Sequence, residues 1–276
     1  MTRTTKAIVS AMIATAPLVT IASPAQAGIG DLLVAPTRIV LDGSRGAEIV
    51  LNNIGEEPAT YRVSVEFRRM EANGNLEDVK EPSAAEKAAA DMIFYAPRRV
   101  TLAPHEPQAI RIAARAPQGL PDGEYRVHML FRAIPPATPV VQASAPSSEK
   151  GLRFQLTPIY GVTIPVIVRL GTLQATAGIA NVHLEKDDNV PTVALDLTRS
   201  GSRSTFGEVR VMKTGVKDPI AQQKAIAVYT ELGSRHVTIP VSNSFKGEVS
   251  GPVTVQYVET FDDGSHVIAE TQAVLR

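Results

Sequence analysis

The residues best suited to proton transfer or metal ligation are five histidines, His105, His128, His183, His236 and His266, and they stand singly. None has a second ligand at the spacing that places two donors on one metal ion, so each reads as a surface or strand-face histidine. The chain has no cysteine, no G-x-S-x-G turn to present a nucleophilic serine, no glycine-rich phosphate loop and no paired-carboxylate motif. Catalysis has almost no support in these residues, and neither a metal nor a cofactor is expected. The basic doublets Arg68-Arg69 and Arg98-Arg99 are not interleaved with aromatics, which make up only 5% of the chain. They read as solvated strand ends, and no nucleic-acid partner is expected.

What the chain offers instead is a pattern. From Gly151 to Leu170, GLRFQLTPIYGVTIPVIVRL, every even position from Leu152 onward is apolar, while Arg153, Gln155, Thr157, Thr163 and Arg169 stand among the odd ones. A period of 2 is a strand with one greasy face. At roughly 3.3 Å per residue the run would span about 60 Å, several times an ordinary strand, so one sandwich cannot cover all of it. Pro158 and Pro165 lack the N–H a central strand donates, which places part of the run on an edge or at a bend. Proteins blunt long apolar edges unless the edge is meant to pair with another chain.

The elements around that run are also strands. The first 27 residues carry Arg3 and Lys6, an apolar stretch around Ala7 to Ile21 and a small-residue end at Ala25-Gln26-Ala27, the form of a secretory leader cut after Ala27. Nothing else is long and apolar enough to cross a membrane, so no stable membrane insertion is expected. Cleavage removes two bases and no acids, leaving 26 basic against 28 acidic residues and a formal charge of −2, which implies no polyanion partner. Without disulfides, stability must come from packed cores. LLVAPTRIVLDG, AEIVLNN, TYRVSVEFRRM and GEYRVHMLFRAIPP read as strands. MIFYAPRRVTLAPHEPQAIRIAAR reads as two strands around a turn at Pro104 to Pro107, AAEKAAA as a short helix or irregular loop, and Pro135 to Lys150 as a mobile loop. About seven short strands over roughly 140 residues is the count of an immunoglobulin-like sandwich. A second set follows Gly171. The expected fold is all-β, two immunoglobulin-like β-sandwiches in tandem, at 28–170 and 171–276 after the leader at 1–27.

Taken in order, APTRIVLDG (35–43), PRRVTLAPHEPQAIRI (97–112), LPDGEYRVHMLFRAIPP (120–136) and GLRFQLTPIYGVTIPVIVR resemble the PapD-like periplasmic pilus chaperones. The likeness covers nearly all of the first domain, and the second matches only in size and strand pattern. It implies a periplasmic protein that lends an edge strand to pilin-type subunits and passes them to an outer-membrane usher. Leu152, Phe154, Leu156 and Tyr160 would be the donated side chains, and Arg38 would anchor the subunit's terminal carboxylate. Without a partner, Arg38 would simply cap a sheet edge. Family members usually carry a second cation, a lysine on the edge strand. Thr163 or Pro165 falls there in this chain, so Arg38 acts alone or with an arginine the sequence does not place. Glu124 resembles the family's acidic residue in a structural ion network, with Arg169 as candidate partner. The apolar edge is also open to self-association with a second copy. The competing class is an exported two-domain adhesion or carbohydrate-binding protein, although sugar platforms usually show tryptophan and this chain has none.

Overall fold

A computed structural model describes residues 31–135, 159–187, 190–261 and 264–276. The leader, the loop expected after Pro135, and Leu152, Phe154 and Leu156 lie outside the described residues.

The first unit runs through β1 (Leu32–Ala35), β2 (Ile39–Leu41), β3 (Ala47–Asn53), β4 (Ala59–Glu66), β5 (Arg68–Met70), β6 (Leu76–Asp78), α1 (Ala84–Asp91), β7 (Ile93–Ala96), β8 (Arg99–Leu102), β9 (Pro107–Ala114), β10 (Gly123–Ile134) and β11 (Gly161–Leu170). A four-stranded sheet in the order β1-β3-β9-β7 faces a five-stranded sheet in the order β2-β11-β10-β4-β8. Between them lie Ile49, Leu51, Tyr61, Ile110, Met129, Phe131, Ile164 and Val166, each at most 2% exposed. Burying each such side chain stabilises by about 1.5 to 3 kcal/mol.

The 93–114 segment, expected as two strands, forms three. Ile93–Ala96 belongs to the four-stranded sheet and Arg99–Leu102 to the five-stranded one, with Pro97 between them. Pro36 stands at the same kind of crossing between β1 and β2. A proline removes a ladder donor, and each sits where the chain leaves one sheet for the other. The expected helix-or-loop segment is α1, entered through a capping box. The Glu86 amide donates to the Ser83 hydroxyl at 3.3 Å, and the Ser83 amide to the Glu86 carboxylate at 2.7 Å.

The second unit contains β12 (Ala175–Asp187), β13 (Val190–Gly201), β14 (Thr205–Lys213), β15 (Ala221–Val228), β16 (Ser234–Pro240), β17 (Gly251–Phe261) and β18 (Gly264–Leu275). Its two sheets, β12-β13-β16 and β15-β14-β17-β18, enclose Val193, Leu195, Leu197, Val209, Val211, Ile239, Val255 and Tyr257. The Tyr257 hydroxyl, buried in that core, donates to the Ile226 carbonyl at 2.9 Å. Burial pushes its pKa up to about 12.

A third, smaller cluster lies between the sandwiches: Met70 and Ile167 from the first, Ala227 and Tyr229 from the second. In β11, Ile164, Val166 and Val168 turn into the first core, while Ile167 turns the other way into this junction. The greasy even-numbered file is therefore covered by the chain's own sandwich over its second half. The odd-numbered face is covered where the second unit packs on it.

Candidate binding cleft

The cleft grows out of strand register. β10 and β11 are antiparallel, with Glu124 opposite Arg169, Arg126 opposite Ile167 and His128 opposite Pro165. Tyr125, Val127 and Met129 alternate with these and face the core, so Glu124, Arg126 and His128 present the polar face toward the second unit. β2 runs parallel to β11, with Ile39 opposite Val166. Arg38, one residue earlier, therefore stands beside Pro165 on that same face.

Glu124 is the hub. Its side chain is 1% exposed, and its Oε2 accepts from Arg169 Nε at 3.0 Å, the Ser204 amide at 3.0 Å and the Ser204 hydroxyl at 2.9 Å. Arg169 Nη2 also donates to the Ser204 carbonyl at 3.3 Å. Arg38 reaches the same residue, donating from Nη2 to Ser204 Oγ at 3.5 Å, with its Cζ 4.5 Å from the centre of the Phe206 ring. Burial and the neighbouring Arg169 guanidinium lower the Arg38 pKa. Arg38 Nε is buried without a hydrogen-bond partner, and so is Glu124 Oε1. Two guanidinium groups thus converge on one hydroxyl with one carboxylate between them, which leaves one positive charge in excess. Such a site can accept an anion.

A second set of contacts fixes the two units against each other. Arg126 holds Glu231 by two bonds at 2.5 and 2.9 Å, and its Cζ lies 3.7 Å from the centre of the Tyr229 ring. Glu231 also accepts from the Met70 amide at 2.9 Å. The hairpin of β5 and β6 reaches across as well, the His236 amide donating to the Ala72 carbonyl at 2.7 Å. Arg203 and Glu259 form a further bidentate pair near the cleft, at 2.9 to 3.1 Å.

The β11 edge is covered only in part. β10 lines one side from Gly161 to Leu170, whereas β2 pairs with β11 only at Val166 to Val168. Among the described residues, Gly161 to Pro165 have no second strand, and the open edge ends at Arg38. Tyr160, just before β11, is 50% exposed. Thr163 and Pro165 face the cleft and bring no cation. Sequence reasoning missed Ser204, Phe206 and the Arg126–Glu231 pair. Arg126 was accessible through the period of 2 that sets Glu124 on its face, whereas Ser204 carries no local signal. Among the described residues no group of three or more His, Asp or Glu side chains is placed to hold a metal, and no helix is long and apolar enough to cross a membrane.

No protein-family model matches the sequence, and no curated protein is similar to it in sequence. Solved structures are similar in shape. The Salmonella enterica SafA pilin in complex with the SafB chaperone matches over 92% of this chain and 99% of that one, at 16% identity and a TM-score of 0.45. The Escherichia coli chaperone DraB matches over 90% and 99%, at 17% identity and a TM-score of 0.44. The Pseudomonas aeruginosa CupB2 chaperone matches over 88% and 100%, at 14% identity and a TM-score of 0.43.

Proposed function

We propose that this chain is a periplasmic chaperone that captures pilin-type subunits by lending them the edge of β11 and hands them to an outer-membrane usher. The observation that carries the reading is the meeting of an open strand edge with a buried guanidinium: among the described residues Gly161 to Pro165 lack a second strand, and Arg38 stands at the end of that edge. A polypeptide strand laid there gains main-chain hydrogen bonds, and its terminal carboxylate arrives at Arg38 and Ser204. In this reading the apolar positions Leu152, Phe154, Leu156 and Tyr160 supply side chains to the partner's core. The leader at 1–27 delivers the protein to the periplasm, and Glu124 with Arg169 holds the cleft in shape. Capture needs no catalytic residue and no cofactor, since binding and exchange of strands supply the free energy.

The test is co-purification from the periplasm with and without Arg38→Ala. The wild-type chain brings down a small β-rich protein identified by mass spectrometry. Arg38→Ala stays folded and loses about 2 to 5 kcal/mol of capture, the cost of leaving a buried partner charge unpaired. Equal capture by a folded Arg38→Ala protein removes Arg38 from the site.

A further inference from the structure

Three arginines lie in one row across the five-stranded sheet. Arg132 in β10 is directly opposite Arg62 in β4, and Arg62 is directly opposite Arg99 in β8. All three are exposed, and neighbouring strands are about 4.8 Å apart, so three positive charges span roughly 10 Å. Like charges directly opposite one another oppose strand pairing.

Among the described residues nothing on the flanking rows neutralises them. The flanking rows on the same face are Leu130 with Ser64 on one side, and Ile134, Thr60 and Thr101 on the other. Thr60 and Thr101 are bonded to each other at 2.8 Å. Glu66, further along the face, is held by Arg68 at 3.1 Å. Among the described residues none of the three arginines has a hydrogen-bond or ion-pair partner.

The row also has a direction. Its next position toward the sheet edge is Gly161, opposite Arg132 in β11. A Cβ at Gly161 would come within 3.0 Å of Leu130 and 3.5 Å of the Phe131 carbonyl, so glycine fits here and leaves no side chain between Arg132 and the open edge. A strand added to β11 would place one of its own residues in line with the row.

We propose that Arg132, Arg62 and Arg99 form a carboxylate-reading ladder that receives an Asp- and Glu-rich segment of the polypeptide joining the β11 edge. This rests on the reading that a partner strand pairs with that edge. The occupant is a polypeptide because the row is continuous with an edge whose free groups are backbone donors and acceptors, which only another backbone satisfies. Base stacking has no support, since no aromatic side chain stands in the row or in those beside it. Arginine suits the task because its planar fork matches a carboxylate with two bonds. Exposed charges of this kind act mainly on the rate of encounter and its salt dependence.

The experiment measures binding of fluorescently labelled poly-L-glutamate to the full mature chain by anisotropy, at about 20 mM and about 200 mM salt. The wild-type chain is expected to bind, and Arg62→Glu to bind about tenfold more weakly at the lower salt, with the difference shrinking at the higher. Arg111→Glu, an identical charge change at an exposed arginine beside Glu48 on the other sheet, serves as control and is expected to leave binding unchanged. Equal binding by Arg62→Glu, or equal weakening by Arg111→Glu, overturns the ladder. Stronger binding to phosphatidylglycerol vesicles or to single-stranded DNA than to poly-L-glutamate, lost in Arg62→Glu, overturns the polypeptide assignment. Poly-L-glutamate needs no strand donation, so a failure here is separable from a failure of subunit capture in the Arg38→Ala test.

Discussion

Arg126 and Glu231, 105 residues apart in the chain, clamp the two sandwiches together through two parallel bonds at 2.9 and 2.5 Å. The arginine side chain is 9% exposed and the glutamate 25%. The pair therefore lies between the surface case, worth little, and the buried case, costly to break.

Glu231→Gln is expected to lower stability by about 1 to 3 kcal/mol, less than the roughly 3 to 5 seen when one member of a fully buried pair is removed. Burial pushes the Glu231 pKa up, but the Arg126 bond and charge outweigh it and hold it below the ordinary glutamate value. A carboxyl lowered by folding contributes stability that is present above its unfolded pKa and lost as pH falls through the folded one. Urea midpoints should thus separate wild type from Glu231→Gln above pH 5 and converge in stronger acid. An unchanged midpoint at neutral pH would show that the pair does not hold the units together.

His128 titrates in the same sense for a different reason. It is 1% exposed with neither ring nitrogen partnered, and burial, aided by Arg126 and Arg68, lowers its pKa from 6.5 to about 3. The unfolded chain takes up a proton as pH falls below 6.5 while the folded chain does not. Stability drains away between those values, at up to about 1.4 kcal/mol per pH unit. His128→Phe should flatten the melting temperature between pH 6.5 and pH 4, and a variant with the wild-type slope would assign the acid sensitivity elsewhere.

Phe154→Glu tests the proposed donation of a strand, with Gln155→Glu as its neighbour control. If Phe154 serves a partner, the change abolishes capture and reduces self-association while leaving the melting temperature nearly unmoved. Gln155→Glu does little to either. A fall of many degrees at Phe154 would mean that it belongs to the chain's own core, where losing a phenylalanine costs about 3 to 5 kcal/mol.

Gly171 carries the chain out of β11 at φ +75, and a Cβ there would run into the Asp122 carboxylate. Gly171→Ala should cost at least about 1 to 2 kcal/mol from the left-handed backbone alone. Calorimetry would detect this as an earlier transition, and an unshifted trace would show that the linker relaxes freely.

Most strands were legible because half-buried sheets write a period of 2 into the sequence, as in Tyr61 and Val63 or in Ile164, Val166 and Val168. The crossings at Pro36 and Pro97 were harder to read. A proline marks a break in a strand without saying which sheet the next residues join. In the cleft, Arg38, Glu124 and Arg169 came to notice through resemblance, and register then set Glu124 against Arg169. Ser204 and Glu231 had no signal, because a serine or glutamate in a connection looks the same whether it faces water or another domain. The arginine row was invisible for a related reason: Arg62, Arg99 and Arg132 become neighbours only once three strands are aligned.

The parallel pairing of β2 with β11 sets the order in which the molecule can be built. It holds Ile39, early in the first sandwich, against Val166, near its end, and among the described residues β2 has no other neighbour in its sheet. A chain released N-terminus first presents β2 long before β11 follows, so Ile39 and Leu41 must wait in water until Leu170 has passed. Contacts this distant in sequence are slow to form. Until then the first sandwich is itself an incomplete sheet awaiting a strand, and under the proposed function that closing strand is also the one whose edge serves a partner.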